Sequence, residues 1–245
     1  MSKFRLIFIH LPKTAGTTVR EILRSRYGSD AVCGIYDGDP GFISQEAFAA
    51  LPPSERDQYQ IYCGHFAYGI HDKITPATQY YAMFRDPVER VVSYYHHAMR
   101  HAPVFQGSPV SLMKFLDRQD WQIDNLYTRM ISGQKAPVGK CSEAMLAQAV
   151  DNIEKHFVCV GLQDEFHASI DLLCASLGWK ALPDYAPLNI GVGKPSLDYF
   201  SSRELDRIRE LNTFDLALYE KVRAVFKASR ERISSADCRV DTEVA

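Results

Sequence analysis

The sequence predicts one α/β domain with a mostly parallel central sheet and helices on both faces. Short apolar, β-rich runs alternate with longer segments of helical periodicity, which is the pattern of parallel strands joined by helical crossovers. The 245 residues suffice for one domain with a substantial core, and a second full domain is not expected. We place the domain at residues 1–233 and a polar, disordered tail at residues 234–245.

Strands are predicted where uncharged apolar runs are bounded by turn residues, and helices where apolar residues recur every three to four positions. The predicted strands are 4–9, 59–63, 78–84 and 156–161. The predicted helices are 17–27, 43–51, 87–101, 110–118, 121–132, 142–154, 163–177, 201–210 and 212–231. Loops are predicted at 29–41, with room for one short strand, and at 102–109 and 183–198.

Composition limits the partners and the compartment. With 28 basic and 30 acidic residues the chain lacks the basic excess of a nucleic-acid-binding protein. The six cysteines form no C-x-x-C pair and no zinc-ligand spacing, which predicts reduced thiols. No apolar stretch is long enough to span a bilayer, and the first strand begins by about residue 4, which leaves no room for a signal peptide. We therefore expect a cytoplasmic protein.

The first strand runs into a turn that holds a lysine, a glycine and three threonines, and a helix begins there. Backbone N–H groups at a helix N-terminus and the helix dipole attract anions, Lys13 adds a positive charge, and Gly16 allows close approach of a ligand. A Walker A loop has its lysine after the last glycine, so this is no ATPase loop by sequence. The alternative is a simple turn with a surface lysine. The predicted phosphate- or sulfate-binding residues are Lys13, Thr14, Ala15, Gly16, Thr17 and Thr18.

A second anion-binding segment follows the strand 78–84. Asp86 suits a helix N-cap, Pro87 suits the first helical position, and Glu89 completes a pair resembling a capping box. Arg85 then lies at the carboxyl end of a strand, where open α/β sheets bind ligands, and Ser93 lies on the following helix. Together these two side chains can hold one phosphate. The alternatives are a salt bridge for Arg85 and a polar surface position for Ser93.

These two segments resemble a known family. Lys13-Thr14-Ala15-Gly16-Thr17-Thr18 is similar to the 5′-phosphosulfate loop of sulfotransferases that use 3′-phosphoadenosine 5′-phosphosulfate (PAPS). Arg85-Asp86-Pro87-x-x-Arg90-x-x-Ser93-Tyr94-Tyr95 is similar to their 3′-phosphate-binding strand and helix. The chain most resembles carbohydrate sulfotransferases of the heparan sulfate 2-O type and their bacterial relatives. The resemblance covers residues 4–226, with further similar segments at 124–133, 160–166, 188–189 and 211–219.

The resemblance implies a P-loop-like sulfotransferase domain with PAPS as the sulfuryl donor. Lys13 would stabilise the bridging oxygen as the S–O bond breaks, and Ser93 would contact the 3′-phosphate and restrain Lys13. Lys194 lies where related enzymes place a loop near the 3′-phosphate, and the predicted loop 183–198 around it would cover the nucleotide.

His65 is the candidate general base. It follows the strand 59–63 within Gly64-His65-Phe66, and a neutral imidazole is available at physiological pH. The segment also resembles the catalytic-base segment of the 2-O-sulfotransferases, which have a second histidine where this chain has Cys63. The alternative is a capping or core histidine.

No metal site is predicted. Three histidines share one predicted helix, but no glutamate follows the first of them and no third ligand is evident, so a polar helix face near the acceptor is the better interpretation. These histidines are His96, His97 and His101.

The sequence as a whole predicts a metal-independent sulfotransferase that moves the sulfuryl group of PAPS to an acceptor hydroxyl by in-line transfer. A carbohydrate acceptor is favoured by the resemblance, with a lipid, polyketide or phenol hydroxyl as the alternative. A nucleotide-dependent kinase would need the Walker order and an acidic residue for magnesium, and neither is seen. A non-catalytic binding protein would not need Lys13, His65, Arg85 and Ser93 together. No oligomeric state is predicted.

Overall fold

A computed structural model describes residues 4–75, 77–105, 108–118, 120–180 and 197–240. Within them, parallel strands form one sheet. The strands are β1 Arg5–Ile9, β2 Val32–Ile35, β3 Ile61–Gly64, β4 Thr78–Phe84 and β5 Phe157–Leu162. Their order in the sheet is β2-β3-β1-β4-β5. The predicted α/β class with a parallel central sheet is therefore confirmed.

Helices follow the strands and cover the sheet. The first five are α1 Gly16–Tyr27, α2 Gln45–Ala50, α3 Pro53–Arg56, α4 Pro87–His101 and α5 Leu112–Leu116. The next five are α6 Leu126–Ser132, α7 Glu143–His156, α8 Phe166–Ser176, α9 Ser202–Leu211 and α10 Thr213–Val240. In the described part of the chain, none of them is long and apolar enough to cross a membrane.

Most predicted elements appear within a few residues of their predicted bounds. The short strand for which the predicted loop 29–41 left room is present as the edge strand β2, which pairs with β3. The predicted helix 121–132 is interrupted, because Asn125 adopts a left-handed conformation with φ of 45° and α6 begins only after it. One short 3₁₀ turn, Trp121–Ile123, precedes the break.

The end of the chain also differs from the expectation. α10 continues to Val240, past the predicted domain boundary at residue 233, so residues 234–240 are helical where a disordered tail was expected. Residues 241–245 lie outside the described residues. The division into a domain at 1–233 and a tail at 234–245 stays a prediction.

The register brings the carboxyl ends of three neighbouring strands to the same edge of the sheet. Ile9 at the end of β1 pairs with Gly64 of β3 on one side and with Ala82 of β4 on the other. The residues that follow β1 and β3 are therefore neighbours in space, and β4 runs two residues further, to Phe84, before Arg85 at the same edge. The sheet itself is the core of the protein, and the side chains of β1 from Leu6 to Ile9 are buried.

Candidate active site

The loop between β1 and α1, residues 10–15, has a backbone shape that suits an anion. Lys13 and Ala15 are held at φ of 70° and 67°, which side chains other than glycine rarely adopt. Ala15 precedes the 12-residue helix α1, and its methyl group offers no capping oxygen. The amides of Thr18 and Val19 already donate to the Ala15 carbonyl at 3.1 and 3.4 Å. The N–H groups ahead of them belong to the open, positive end of the helix.

The threonines of this segment have different surroundings. Thr14 is fully buried, and its hydroxyl donates to the Leu11 carbonyl at 2.8 Å. Thr18 is also buried, whereas Thr17 is half-buried. The Thr14 side chain therefore stabilises the loop. If Thr14 contacts a nucleotide as predicted, the contact would be made by its backbone rather than by its hydroxyl. The predicted ligand contacts of all six residues from Lys13 to Thr18 stay predictions.

The His10 ring leaves no space for a side chain at Gly16, so a glycine is needed here even without a ligand. A methyl group at its Cα would lie 2.0 Å from Cδ2 and 2.3 Å from Nε2 of the buried His10 imidazole. Such distances are far inside van der Waals contact. The start of α1 thus rests directly on the His10 ring.

His65 follows β3 and is oriented by the backbone. Its Nδ1 lies 2.6 Å from the His10 carbonyl oxygen. Because a carbonyl only accepts, Nδ1 carries the proton, and the neutral ring therefore has its lone pair on Nε2. The residue is exposed. This geometry suits a general base, although the role of His65 stays a prediction. The neighbouring Cys63 is buried in β3, and burial raises the pKa of its thiol to about 11, so it supplies no second base.

Electrostatics keep the His65 imidazole neutral. The residue is exposed on one side, but its ring packs against the rings of His10 and Tyr36. Desolvation of the ring lowers the pKa of His65, and the positive charges of Arg20 and Lys13 act in the same direction. The hydrogen bond to the His10 carbonyl and the carboxylate of Asp39 oppose this shift. The net direction is downward, so the ring is available to accept a proton at neutral pH.

Arg85 lies at the end of β4 but already has a partner. Its Nε and Nη2 donate to Oε2 of Glu89 at 3.0 and 2.7 Å. The alternative interpretation of Arg85, a salt bridge at a strand end, is therefore present in the structure. The predicted capping box is only half formed, because Asp86 accepts from the Glu89 amide at 3.0 Å while the Glu89 side chain turns to Arg85. The Glu89 side chain is 45% exposed, so water screens this pair and a stronger anion can compete for the arginine.

One face of α4 continues from this pair toward the β1–α1 loop. Ser93 is half-buried and lies one turn after Glu89, and His97 lies one turn further. Partial burial lowers the pKa of His97 to about 4, and the charge of Lys13 contributes to that shift. Lys13 is thus within electrostatic reach of α4, and the structure brings together the residues predicted at the ends of β1, β3 and β4.

Other predictions have simple outcomes. Lys194 lies outside the described residues. No group of three or more metal-ligating side chains is found in the residues that the structure describes.

Sequence reasoning missed Tyr36, whose hydroxyl lies 2.8 Å from Nδ1 of His10 and whose ring meets the His65 ring edge-on at 4.9 Å. Tyr36 lies in a segment predicted to be a loop, and nothing in the local pattern indicates its partner.

Comparison with known proteins assigns the family. The model of the galactose-3-O-sulfotransferase family matches residues 2–245. The chain belongs to this family. The predicted resemblance to carbohydrate sulfotransferases is confirmed, and the matching family is the galactose-3-O type rather than the heparan sulfate 2-O type.

Two curated members give the degree of similarity. Human galactose-3-O-sulfotransferase 2 is 24% identical over 235 residues, which cover 88% of this chain and 58% of that protein. Bovine galactose-3-O-sulfotransferase 3 is 24% identical over 240 residues, or 89% of this chain and 56% of that protein. This chain thus spans little more than half the length of the curated relatives that it matches.

A solved structure of the mouse sulfotransferase SULT7A1 complexed with PAP covers 94% of this chain and 89% of its own. It is 17% identical with a TM-score of 0.49, a level at which the likeness alone decides nothing.

The prediction of a cytoplasmic location is wrong. The galactose-3-O-sulfotransferase relatives are type II membrane proteins of the Golgi. The expectation rested on the position of the first strand, and in a chain that spans about 58% of such a relative that position does not report the compartment.

Proposed function

We propose that this chain transfers the sulfuryl group of PAPS to a hydroxyl of a galactose-containing glycan. The observation that carries the proposal is the placement of His65, whose proton-accepting Nε2 is left free by the bond from Nδ1 to the His10 carbonyl. His65 lies near the N-terminus of α1, which has no side-chain cap, and the positive charge of Lys13 lowers the pKa of His65. The family description names the 3-hydroxyl of galactose, and we propose that position for this chain.

The residues present fit a nucleotide with two separate anionic groups. The open N-terminus of α1, with Lys13 beside it, provides amide donors and a positive charge for a phosphosulfate. Arg85 and Ser93, at the end of β4 and on α4, would hold the 3′-phosphate. To do so, Arg85 would exchange its bond to the exposed Glu89 carboxylate for bonds to the phosphate.

PAPS, when bound, supplies the sulfuryl group and a phosphate leaving group. His65 accepts the proton of the acceptor hydroxyl at Nε2 as the acceptor oxygen bonds to sulfur. The S–O bond to the 5′-phosphate breaks, and its electron pair stays on the phosphate oxygen. Lys13 and the amides at the start of α1 stabilise the charge on that oxygen. The products are a sulfate ester and 3′-phosphoadenosine 5′-phosphate (PAP).

Calorimetric titration tests the nucleotide first. We expect the protein to bind PAP more tightly than ATP with magnesium, because Arg85 and Ser93 would recognise the 3′-phosphate. Preference for ATP would refute the proposal and favour a kinase.

The acceptor is tested with labelled PAPS in the presence of a chelator. A galactose-terminated oligosaccharide is compared with the same oligosaccharide carrying 3-deoxygalactose, which differs only in the proposed acceptor hydroxyl. We expect label in the first and none in the second. Equal transfer to both would refute the 3-hydroxyl, and transfer only to lipid or phenol hydroxyls would refute the carbohydrate acceptor.

A further inference from the structure

His10 lies between the two parts of the site and contacts both. Its side chain is 6% exposed and stacks on Phe8, with ring centroids 5.6 Å apart. Its imidazole fills the space beside Gly16, as shown by the 2.0 Å approach of a methyl group built at that glycine. The first residue of α1 is therefore seated on the His10 ring.

The same residue holds the base. The His10 carbonyl accepts from Nδ1 of His65 at 2.6 Å, and the two rings are 4.5 Å apart. The His10 amide donates to the Gly64 carbonyl at 2.9 Å, which extends the pairing of β1 with β3 to the residue before His65. The peptide that orients His65 is thus fixed from both strands.

Tyr36, the residue after β2, holds the His10 ring in place. Its hydroxyl lies 2.8 Å from Nδ1 of His10. Arg20 of α1 hydrogen-bonds to that hydroxyl and can only donate, so the hydroxyl proton goes to one of two neighbouring acceptors, Nδ1 of His10 or the Cys63 sulfur. Burial lowers the pKa of His10 well below its ordinary value, which keeps the ring neutral and able to accept. This chain of contacts runs from α1 through Tyr36 and His10 to the base.

We propose that His10 is a positioning residue that couples the β1–α1 loop to the base, its ring seating Gly16 and its carbonyl orienting His65. This inference rests on the proposed function. Movement of the loop on nucleotide binding would reach His65 through the buried His10, whose ring is held by Tyr36. The base is therefore aligned only when α1 is seated.

A rescue experiment tests the ring contact. We expect Gly16→Ala to weaken PAP binding about tenfold or more, because its methyl group collides with the His10 ring. His10→Ala removes that ring, so the double variant His10→Ala/Gly16→Ala should bind PAP within about threefold of His10→Ala alone, as expected for strongly coupled neighbours. Additive losses would overturn the proposal.

A second variant tests the base. Tyr36→Phe removes the hydroxyl and retains the ring against His65, so we expect kcat to fall about tenfold through misplacement of the base, with PAP affinity unchanged. The acid limb of the pH–rate profile should move to higher pH, because a less firmly held His65 is better solvated and its pKa rises toward the ordinary value. The two histidine rings face each other, and the other charged and titratable groups around them and Tyr36 are Lys13, Arg20, Asp39 and Cys63.

Tyr62→Phe is the matched control, since it removes a buried tyrosine hydroxyl of β3 that donates to the Arg56 carbonyl. We expect no shift of its pH profile, and an equal shift in both variants would overturn the proposal. Thermal unfolding shows whether each variant folds, and if Gly16→Ala does not, the Tyr36→Phe profile decides. Wild-type protein that fails to bind PAP would refute the proposed function, whereas additive losses in a chain that binds PAP refute only the coupling.

Discussion

Two regions of this molecule differ in how they satisfy the amides at helix N-termini. At the contact between α6 and α10, which we call the clasp, each helix is capped by a side chain of the other. Asn125 Oδ1 accepts from the amides of Phe214 and Asp215 at 2.9 and 3.1 Å. In return, the Asp215 carboxylate accepts from the amides of Tyr127 and Thr128 at 2.9 and 2.8 Å.

The N-terminus of α1 has no such arrangement. It begins after Ala15 in a loop with two left-handed residues, and it opens toward Lys13 and His65. Buried helix ends need partners for their amides, and the clasp provides them from within the chain. The proposed site differs from the clasp in leaving the N-terminus of α1 without a side-chain cap, next to Lys13 and His65, where the proposed phosphosulfate would bind. Four predictions test this difference.

The largest effect is expected at the base. His65→Ala should reduce kcat by about 10²–10⁴-fold, the usual contribution of a general base, and should leave PAP affinity nearly unchanged. Steady-state kinetics with labelled PAPS and calorimetry with PAP measure the two quantities.

His156→Ala is a matched control, because His156 is exposed at the end of α7 and its ring lies against Tyr68 and His71. It should retain full turnover. Turnover that survives in His65→Ala would remove His65 from the mechanism.

At the clasp we expect a loss of stability without a loss of affinity. Asp215→Ala would leave two buried amides and the Thr128 hydroxyl without their acceptor, which should lower the free energy of unfolding by about 2–4 kcal/mol. Urea denaturation measures this loss. The folded protein should still bind PAP as the wild type does.

Asp206→Ala provides the comparison, since Asp206 forms an exposed pair with Arg209 and its loss should cost no more than about 0.5 kcal/mol. Equal destabilisation by both variants would mean that the clasp is no stronger than a surface ion pair.

The clasp also shows where sequence reasoning stops. The bounds of β4 and α4 match the prediction, because Asp86 and Pro87 are local signals at the junction. The start of α6 was missed, because Asn125 and Asp215 are 90 residues apart in the sequence and no local pattern links them.

The same limit applies within the site. The ends of the parallel strands can be located from apolar runs, and this placed Lys13, His65 and Arg85 at one edge. The contact of His10 with Tyr36 joins residues 26 positions apart that follow the ends of β1 and β2, so only the three-dimensional arrangement of the strands reveals it. The Arg85–Glu89 pair, by contrast, has a readable i,i+4 spacing, but a capping role was assigned to Glu89 instead.

At the proposed site for the 3′-phosphate, Arg85→Ala should weaken PAP binding by about 1.5–3 kcal/mol, the range for charge-assisted hydrogen bonds. Calorimetry measures the change. Arg209→Ala, at a surface arginine that is also paired with a nearby carboxylate, should leave affinity unchanged. Identical affinity in wild type and Arg85→Ala would exclude Arg85 from the nucleotide site.

The smallest effect is expected from the partner of that arginine. If the 3′-phosphate binds Arg85 as proposed, it competes with the Glu89 carboxylate for that side chain. In the clasp, by contrast, the hydrogen bonds of Asn125 and Asp215 are made within the chain and no ligand is proposed to replace them. Glu89→Gln removes the negative charge of the exposed partner of the buried Arg85, so PAP affinity should rise by a few-fold, or less than about 1 kcal/mol. The gain should shrink at high salt, because screening of the exposed Glu89 carboxylate weakens the pair in the wild type as well. Weaker binding by Glu89→Gln would show instead that Glu89 orients Arg85 for the phosphate, and the edge would then resemble the clasp in having its donors set by internal partners.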